Sequence, residues 1–224
     1  SYSKTVHALL GDDSYELVSL RPEELGGFLQ ARGFEGLNVT IPYKKAVIPY
    51  CAELSVTARK TGSVNTLAFG GGGRLIGHNT DYAGFLYMAA RADIGFKGKN
   101  VVILGSGGTG VTAVQAAADE GAARVTVVSR EGTVNYGNVH RLTDTEIIVN
   151  ATPVGMYPEP AAQPLALAGF PRLEAVIDVI YNPLRTRLLL EAKAMKLLCT
   201  NGLPMLVAQA KYARDIFTGQ EAPD

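Results

Sequence analysis

Gly105, Gly107 and Gly110 stand in the spacing G-x-G-x-x-G, directly after the apolar run Val101-Val-Ile-Leu104 and ahead of an alanine-rich segment. A second β-branched run, Arg124-Val-Thr-Val-Val128, follows. The order is strand, turn, helix, strand, and in that order each glycine has a physical task. Gly105 permits the tight turn, Gly107 lets backbone approach a pyrophosphate, and Gly110 lets helix and strand pack closely. A helix beginning near Gly108 aims its unpaired N–H groups at the phosphates. Glycine is common here, 25 of 224 residues, so a plain glycine turn is the competing reading. The strand–helix–strand setting favours a dinucleotide site over it.

Other polar residues interrupt apolar strands, where a polar group without a partner is costly. Asn38 and Thr40 are two apart, so on a strand they share one face. Lys44 then falls in the first turn of a helix opened by Pro42, the electrostatically unfavourable end for an ammonium. A solvated lysine beside Lys45 is the plain alternative. Asn65-Thr66 and Asn79-Thr80-Asp81 are further polar clusters at strand ends. For these, Thr80 or Asp81 as a helix N-cap competes with a role in a site.

Two α/β units have to position these residues. In the first, Tyr15–Leu20 alternates like a strand and Arg21-Pro-Glu-Glu-Leu25 opens a helix. Gly36–Ile41 is a second strand stopped by Pro42; helices run from Pro42 to about Glu53 and on to about Lys60. Val64–Phe69 and Arg74–Gly77 form a hairpin around Gly70–Gly73, and a helix from Asp81 to about Ala92 leads into the second unit. There Val101–Leu104, Val125–Val128, Glu146–Val149 and Ala175–Val179 are strands that alternate with helical stretches. Helices over Leu188–Leu197 and Met205–Phe217 complete the chain. Such alternation implies a parallel sheet covered on both faces. The expected fold is α/β: a Rossmann-like, doubly wound nucleotide domain over 84–205, with a smaller discontinuous α/β domain over 1–83 and 206–224.

Composition narrows the class of function. Lys plus Arg equals Asp plus Glu, 21 each, and no basic run stands out, so nucleic acid is not an expected partner. The longest apolar stretches are strand-sized, short of the roughly 20 residues of a membrane helix. Cys51 and Cys199 lie far apart and outside any C-x-x-C pattern, as buried thiols of a reducing compartment do. Three scattered histidines make no metal set. A cytoplasmic, metal-free protein that acts on a small molecule is the expectation, with monomer and homodimer both left open. The sequence opens at Ser1, without methionine or an obvious first strand.

Seven motifs, in order, sharpen this. Ser1-Tyr-Ser3-Lys-Thr-Val-His7, Asn38-Val-Thr-Ile-Pro-Tyr-Lys44, Gly62-Ser-Val-Asn65-Thr-Leu and Gly77-His-Asn79-Thr-Asp81 resemble the substrate domain of the shikimate dehydrogenases. Asn150-Ala-Thr152-Pro-Val-Gly155-Met, Asp178-Val-Ile-Tyr181-Asn-Pro and Gly202-Leu-Pro-Met205-Leu-Val-Ala-Gln209-Ala continue the resemblance to about Phe217. It implies NADP-linked interconversion of 3-dehydroshikimate and shikimate, a step toward the aromatic amino acids. It also implies roles for individual residues. Ser1 and Ser3 match a serine pair holding the substrate carboxylate, with Tyr181 beside it. Asn65, Gln209 and Asp81 match groups that bind the ring hydroxyls, and Thr40 lines the same pocket. Lys44 and Asp81 match the catalytic pair. Oxidation of a secondary alcohol sends hydride to the nicotinamide while the hydroxyl proton needs an acceptor within hydrogen-bond reach. That proton is assigned to the pair and not to either residue alone.

On the coenzyme side the resemblance makes Gly105, Ser106, Gly107, Gly108, Thr109 and Gly110 the phosphate loop. Thr152 at a strand end, Gly202 and Met205 border the nicotinamide, with core packing as the competing reading of Met205. NAD enzymes usually end the second strand with an acid for the ribose 2′-hydroxyl. Here Ser129 and Arg130 stand instead, a hydroxyl and a guanidinium that suit a 2′-phosphate. The family commonly reads Asn-Arg-Thr at this corner with a further basic residue shortly after, whereas this chain has Glu131 and no Lys or Arg until Arg141. NADP is therefore the expected coenzyme, with NAD as the alternative in a quinate/shikimate dehydrogenase. A non-catalytic nucleotide-binding module would keep the glycine loop and lose Lys44, Asp81, Asn65 and Gln209.

Overall fold

Strands in the C-terminal half are almost wholly apolar, as strands covered on both faces must be. The computed structural model describes residues 2–11 and 14–219. Two compact units make up the chain: 1–83 with 207–224, and 84–206.

The first unit begins with α1 (Ser3–Leu9) and α2 (Leu25–Ala31), the latter preceded by a 3-10 turn over Pro22–Glu24. Then come β1 (Gly36–Asn38), β2 (Glu53–Leu54), α3 (Val56–Thr61), β3 (Thr66–Phe69) and β4 (Leu75–His78). The sheet order is β1-β3-β4-β2, antiparallel except for the parallel β2–β4 pair. Leu25 and Leu29 of α2, Ala58 of α3, Val47, Val64 and Leu67 build its core. The expected hairpin is β3 and β4, closed by the glycine run.

Three expectations fail here. Tyr15–Leu20 forms no strand, and Leu17 and Val18 are exposed. Alternation marks a strand only where a neighbour offers a ladder, and β1 pairs with β3 alone. The strand from Gly36 stops at Asn38: the Thr40 carbonyl accepts from Tyr43 N–H at 2.9 Å, which starts a turn. No α-helix runs from Pro42 to Glu53; turns lead to a 3-10 helix over Ile48–Tyr50. Pro49 has no N–H to give the preceding turn and disfavours α geometry at Ile48, so the segment cannot close as an α-helix. The short β2 within it went unforeseen.

Helix α4 (Thr80–Arg91) carries the chain into the second unit. That unit comprises β5 (Asn100–Leu104), α5 (Gly108–Asp119), β6 (Arg124–Val128), β7 (Ile147–Asn150), β8 (Ala175–Asp178), α6 (Arg187–Ala194) and β9 (Leu198–Thr200). Helix α7 (Leu203–Phe217) leads back to the first unit. All five strands are parallel in the order β6-β5-β7-β8-β9. Val102, Leu104, Ile148 and Val176 pack with Leu188, Leu189 and Ala192 of α6 on one face. Val101, Ile103, Ile147, Val149 and Ile177 are buried as well, so both faces are covered. The crossovers from β6 to β7 and from β7 to β8 carry only 3-10 turns, Val139–Arg141 and Leu167–Gly169. Strand β9 was not expected; its three residues follow α6 too closely to show a period of their own.

Since β6 and β7 flank β5, the strand order reverses there, and open sheets of this kind bind ligands at the carboxyl ends of such strands. The expected thiols are half-buried, not buried: both cysteines have intermediate exposure. Burial still pushes the Cys51 thiol up to about 11, which keeps it protonated and unreactive. Among the described residues no helix is long and apolar enough to cross a membrane.

Candidate functional site

Lys44 and Asp81, 37 positions apart, form an ion pair with Nζ to Oδ2 at 2.5 Å. Both side chains are largely covered, 19% and 12% exposed, which shields the pair from screening. Backbone sets each partner. The Lys44 carbonyl accepts from Val64 N–H at 2.9 Å, which ties its turn to the approach of β3. Lys44 lies in that turn and not on a helix, so the unfavourable helix end foreseen for it does not arise.

Asp81 is held by the start of α4. Asn79, not Thr80 or Asp81, caps that helix: its Oδ1 accepts from Tyr82 N–H at 3.1 Å. Its Nδ2 donates to the Thr61 hydroxyl and the Ser63 carbonyl, both at 2.9 Å, pinning the cap to the segment after α3. With capping done one residue earlier, the Asp81 carboxylate is available to Lys44. Asn65 braces the same turn. Its Oδ1 accepts from Thr80 N–H at 2.7 Å and from the Thr66 hydroxyl at 3.1 Å, while Nδ2 donates to Thr80 Oγ1 at 3.0 Å. Asn65 thus has one further N–H beyond its internal partners.

Asn38 belongs beside this group. It stands opposite Thr66 across the β1–β3 ladder, and its Oδ1 is buried without a hydrogen-bond partner among the described residues. A buried acceptor left so is costly unless something donates to it. The sequence carried the signal, an amide inside an apolar strand, but Asn38 was not among the expected site residues. Thr40 is exposed in the turn beyond β1, so it does not share a strand face with Asn38. Ser3 is half-buried at the start of α1, Gln209 is half-buried on α7, and Ser1 lies outside the described residues. Tyr181 is half-buried in the second unit, after β8.

The glycine loop in the second unit has the geometry its spacing requires. Gly105 sits at φ +102°, and a Cβ there would lie 3.0 Å from Thr152 Cγ2 and 3.1 Å from the Ala151 carbonyl oxygen. The turns after β5 and β7 therefore meet at the point where the strand order reverses. A Cβ on Gly110 would fall 2.2 Å from the Gly105 carbonyl oxygen, so the first turn of α5 packs on the strand end only because it is glycine. Gly107 and Gly108 would meet nothing within 4 Å. Gly107 caps α5 without a side-chain hydrogen bond, so the N–H groups of Gly108, Thr109 and Gly110 face outward together with Ser106 nearby. These features fit a dinucleotide pyrophosphate: an uncapped N-terminus of a 12-residue helix, reached over two glycines with nothing above them. Gly202 is also forced, since a Cβ would lie 1.9 Å from the Val179 carbonyl oxygen. Met205 is buried at the start of α7.

At the end of β6, Ser129 enters a tight turn whose Gly132 N–H reaches its carbonyl. Arg130 is exposed, and its charge acts on the Tyr136 phenol, which burial pushes above its ordinary value. Behind Thr152 lies a network outside the expected site residues. Asn150 and Asp178, both fully buried, end β7 and β8 side by side. Burial, opposed by bonds from Thr186, Ile180 and Asn150, pushes the Asp178 carboxyl up from 3.8 to about 6. Such a group takes up a proton on folding, so its contribution to stability is greatest below pH 3.8 and falls as pH rises to about 6. Asp178→Asn is therefore expected to gain in Tm relative to the native chain between about pH 4 and 7. Thermal melts across that range check this; a gap constant in pH would mean the carboxyl is not shifted.

Known proteins resemble this chain in sequence and in fold. Residues 2–67 match the model of the shikimate dehydrogenase substrate binding domain. A shikimate dehydrogenase (NADP(+)) of Symbiobacterium thermophilum is 34% identical over 97% of this chain and 81% of its own length. Among solved structures, a chorismate mutase/shikimate 5-dehydrogenase fusion protein from Clostridium acetobutylicum superposes with a TM-score of 0.93 at 33% identity, covering 100% of this chain and 88% of that one. The shikimate 5-dehydrogenase of Thermus thermophilus, in complex with NADP(H) and shikimate, gives 0.85 at 35% identity over 100% and 90% of the two chains. By sequence and by fold, the chain belongs to the shikimate dehydrogenase family.

Proposed function

We propose that this chain catalyses the reversible NADPH-dependent reduction of 3-dehydroshikimate to shikimate. The observation that carries the proposal is the Lys44–Asp81 pair at 2.5 Å, set among buried amides and hydroxyls. The nicotinamide coenzyme, when bound, supplies the hydride to the ketone carbon. Lys44 donates a hydrogen bond to the ketone oxygen and moves the proton to it as negative charge develops there. Asp81 keeps the ammonium aimed and takes a ring hydroxyl on its other oxygen. Asn65, through its remaining N–H, Asn38, through its unpartnered Oδ1, and Gln209 bind ring hydroxyls, and Thr40 lines the pocket. Ser1, Ser3 and Tyr181 hold the carboxylate. The Gly105–Gly110 loop, Ser129, Arg130, Thr152, Gly202 and Met205 hold NADP. We assign the protein to the cytoplasm, where Cys51 and Cys199 stay reduced.

The test is absorbance at 340 nm with shikimate and with quinate, each against NADP and NAD. Turnover of shikimate with NADP is expected. Turnover chiefly with quinate or NAD would move the chain to the broader quinate/shikimate group, and none with any pair would refute the assignment. Arg130→Ala is expected to raise the KM for NADP by about tenfold or more while leaving that for NAD little changed, because a charge-assisted contact to the 2′-phosphate is lost. Equal loss for both coenzymes would mean that Arg130 stacks on the adenine without reading the phosphate.

A further inference from the structure

Asp178 is buried with no exposed surface and is bonded only by neutral donors. Its Oδ1 accepts from Asn150 Nδ2 and from Ile180 N–H, each at 3.1 Å. Its Oδ2 accepts from the Thr186 hydroxyl at 2.6 Å. A carboxylate buried this way is costly, and stability alone does not recommend it over an amide.

What the anion does that an amide cannot is accept on both oxygens at once, from Asn150 and from Thr186. A carboxylate only accepts, so Asn150 turns its Nδ2 toward Asp178, at 3.1 Å, and toward the Val154 carbonyl, at 3.3 Å, and its Oδ1 away. That Oδ1 then takes both the Thr152 N–H, at 3.1 Å, and the Thr152 hydroxyl, at 2.7 Å. Thr152 Oγ1 in turn accepts from Val154 N–H at 3.2 Å. The other carboxylate oxygen holds Thr186, the N-cap of α6, whose Cβ and Cγ2 lie 3.7 Å from where a Cβ on Gly155 would stand. One carboxylate thus braces both ends of the 151–155 turn, the turn that meets Gly105.

We propose that Asp178 is a positioning residue for the coenzyme, acting through Asn150 on Thr152 and through Thr186 on the far end of the same turn. This rests on the reading above that Thr152 borders the nicotinamide. With asparagine at 178, the Ile180 N–H keeps the amide oxygen on its own side, so Nδ2 faces the Thr186 hydroxyl, which loses its acceptor, and Asn150 loses a charged partner. The Thr186 end of the turn is then released and the Asn150 end is held less firmly, so the turn loses its register.

The test is titration calorimetry of NADPH with the full chain, alongside thermal melts. Asp178→Asn is expected to fold with an unchanged or raised Tm near pH 7.5 and yet to bind NADPH about tenfold more weakly, as the loss of a specific buried hydrogen bond does. Its KM for NADPH should rise while that for shikimate stays put. In a double-mutant cycle with Thr152→Val the two losses should be strongly non-additive, since the first acts through the second. If Asp178→Asn does not fold, Thr186→Val should weaken NADPH binding and Thr186→Ser, which keeps the hydroxyl, should restore it. NADPH affinity that is unchanged in Asp178→Asn, additive losses in the cycle, or no difference between the Thr186 variants would overturn the proposal. A native chain that binds no NADPH would instead overturn the coenzyme assignment itself, so the two failures are distinct.

Discussion

Lys44→Ala is expected to lower kcat for shikimate oxidation by about 10²–10⁴-fold, the range of a lost general acid–base group, with little change in KM. Reduction of the ketone builds charge on its oxygen, and an ammonium aimed at that oxygen is worth most when the charge is greatest. Removing it therefore costs the transition state more than the bound substrate. The substitution also leaves the Asp81 carboxylate, only 12% exposed, without its cation. Some loss of Tm is expected from that, and Lys44→Gln, which keeps a donor near Asp81, should fold better while remaining slow. Asp81→Asn should slow the reaction as well. The double variant should be little worse than Lys44→Ala alone, because residues that act as a unit lose their function once. Steady-state rates at 340 nm with melts on the same samples separate the effects. A large rise in KM at unchanged kcat would make Lys44 a binding residue and move the proton transfer elsewhere.

How far the sequence revealed this arrangement differs between the two units, for a physical reason. In the second, apolar runs of four or five residues leave few alternatives, and β5 to β8 emerge within a residue or so of expectation, although of their crossovers only the one from β5 to β6 carries the expected α-helix. The glycine spacing there is legible because each glycine answers a local demand, a positive φ at Gly105 and a backbone contact at Gly110. In the first unit the strands are three or four residues long or less, and side-chain hydrogen bonds decide the outcome. Nothing in the period of residues 42–53 separates a helix from a run of turns; a bond from Val64 to the Lys44 carbonyl and the placement of Pro49 do. Asn79 takes the cap from Thr80 because Thr61 and Ser63 orient its amide, partners 16 to 18 positions away. Asp178 was visible only as an acid at the end of an apolar strand. Its significance depends on Asn150, which stands beside it through strand register and not through sequence spacing.

Gly107→Ala and Gly110→Ala are expected to fail in opposite ways, although both glycines belong to one motif. At Gly110 the new Cβ would lie 2.2 Å from the Gly105 carbonyl oxygen and 3.0 Å from its carbon, backbone that cannot swing aside. Strand end and helix must separate, at a cost of about 1–3 kcal/mol for overpacking. Tm should fall, and NADPH affinity with it, because the N–H groups of Gly108 and Thr109 move with the helix. At Gly107 the backbone has φ −73° and ψ −177°, which alanine adopts without strain. Nothing in the protein lies within 4 Å of the added methyl. Alanine is the poorer N-cap, by about 1 kcal/mol or less, but it also restricts the unfolded chain by about 0.4–1 kcal/mol, so Tm should barely move. The methyl would instead stand in the path by which a pyrophosphate approaches the backbone, and NADPH should bind at least about tenfold more weakly. Melting curves and NADPH titrations on the two variants decide the matter. If Gly107→Ala binds NADPH as the native chain does, the room above that residue is not where the phosphates lie. Gly107 would then be only part of a turn, and the coenzyme would have to be held from the Thr152 side of the strand reversal.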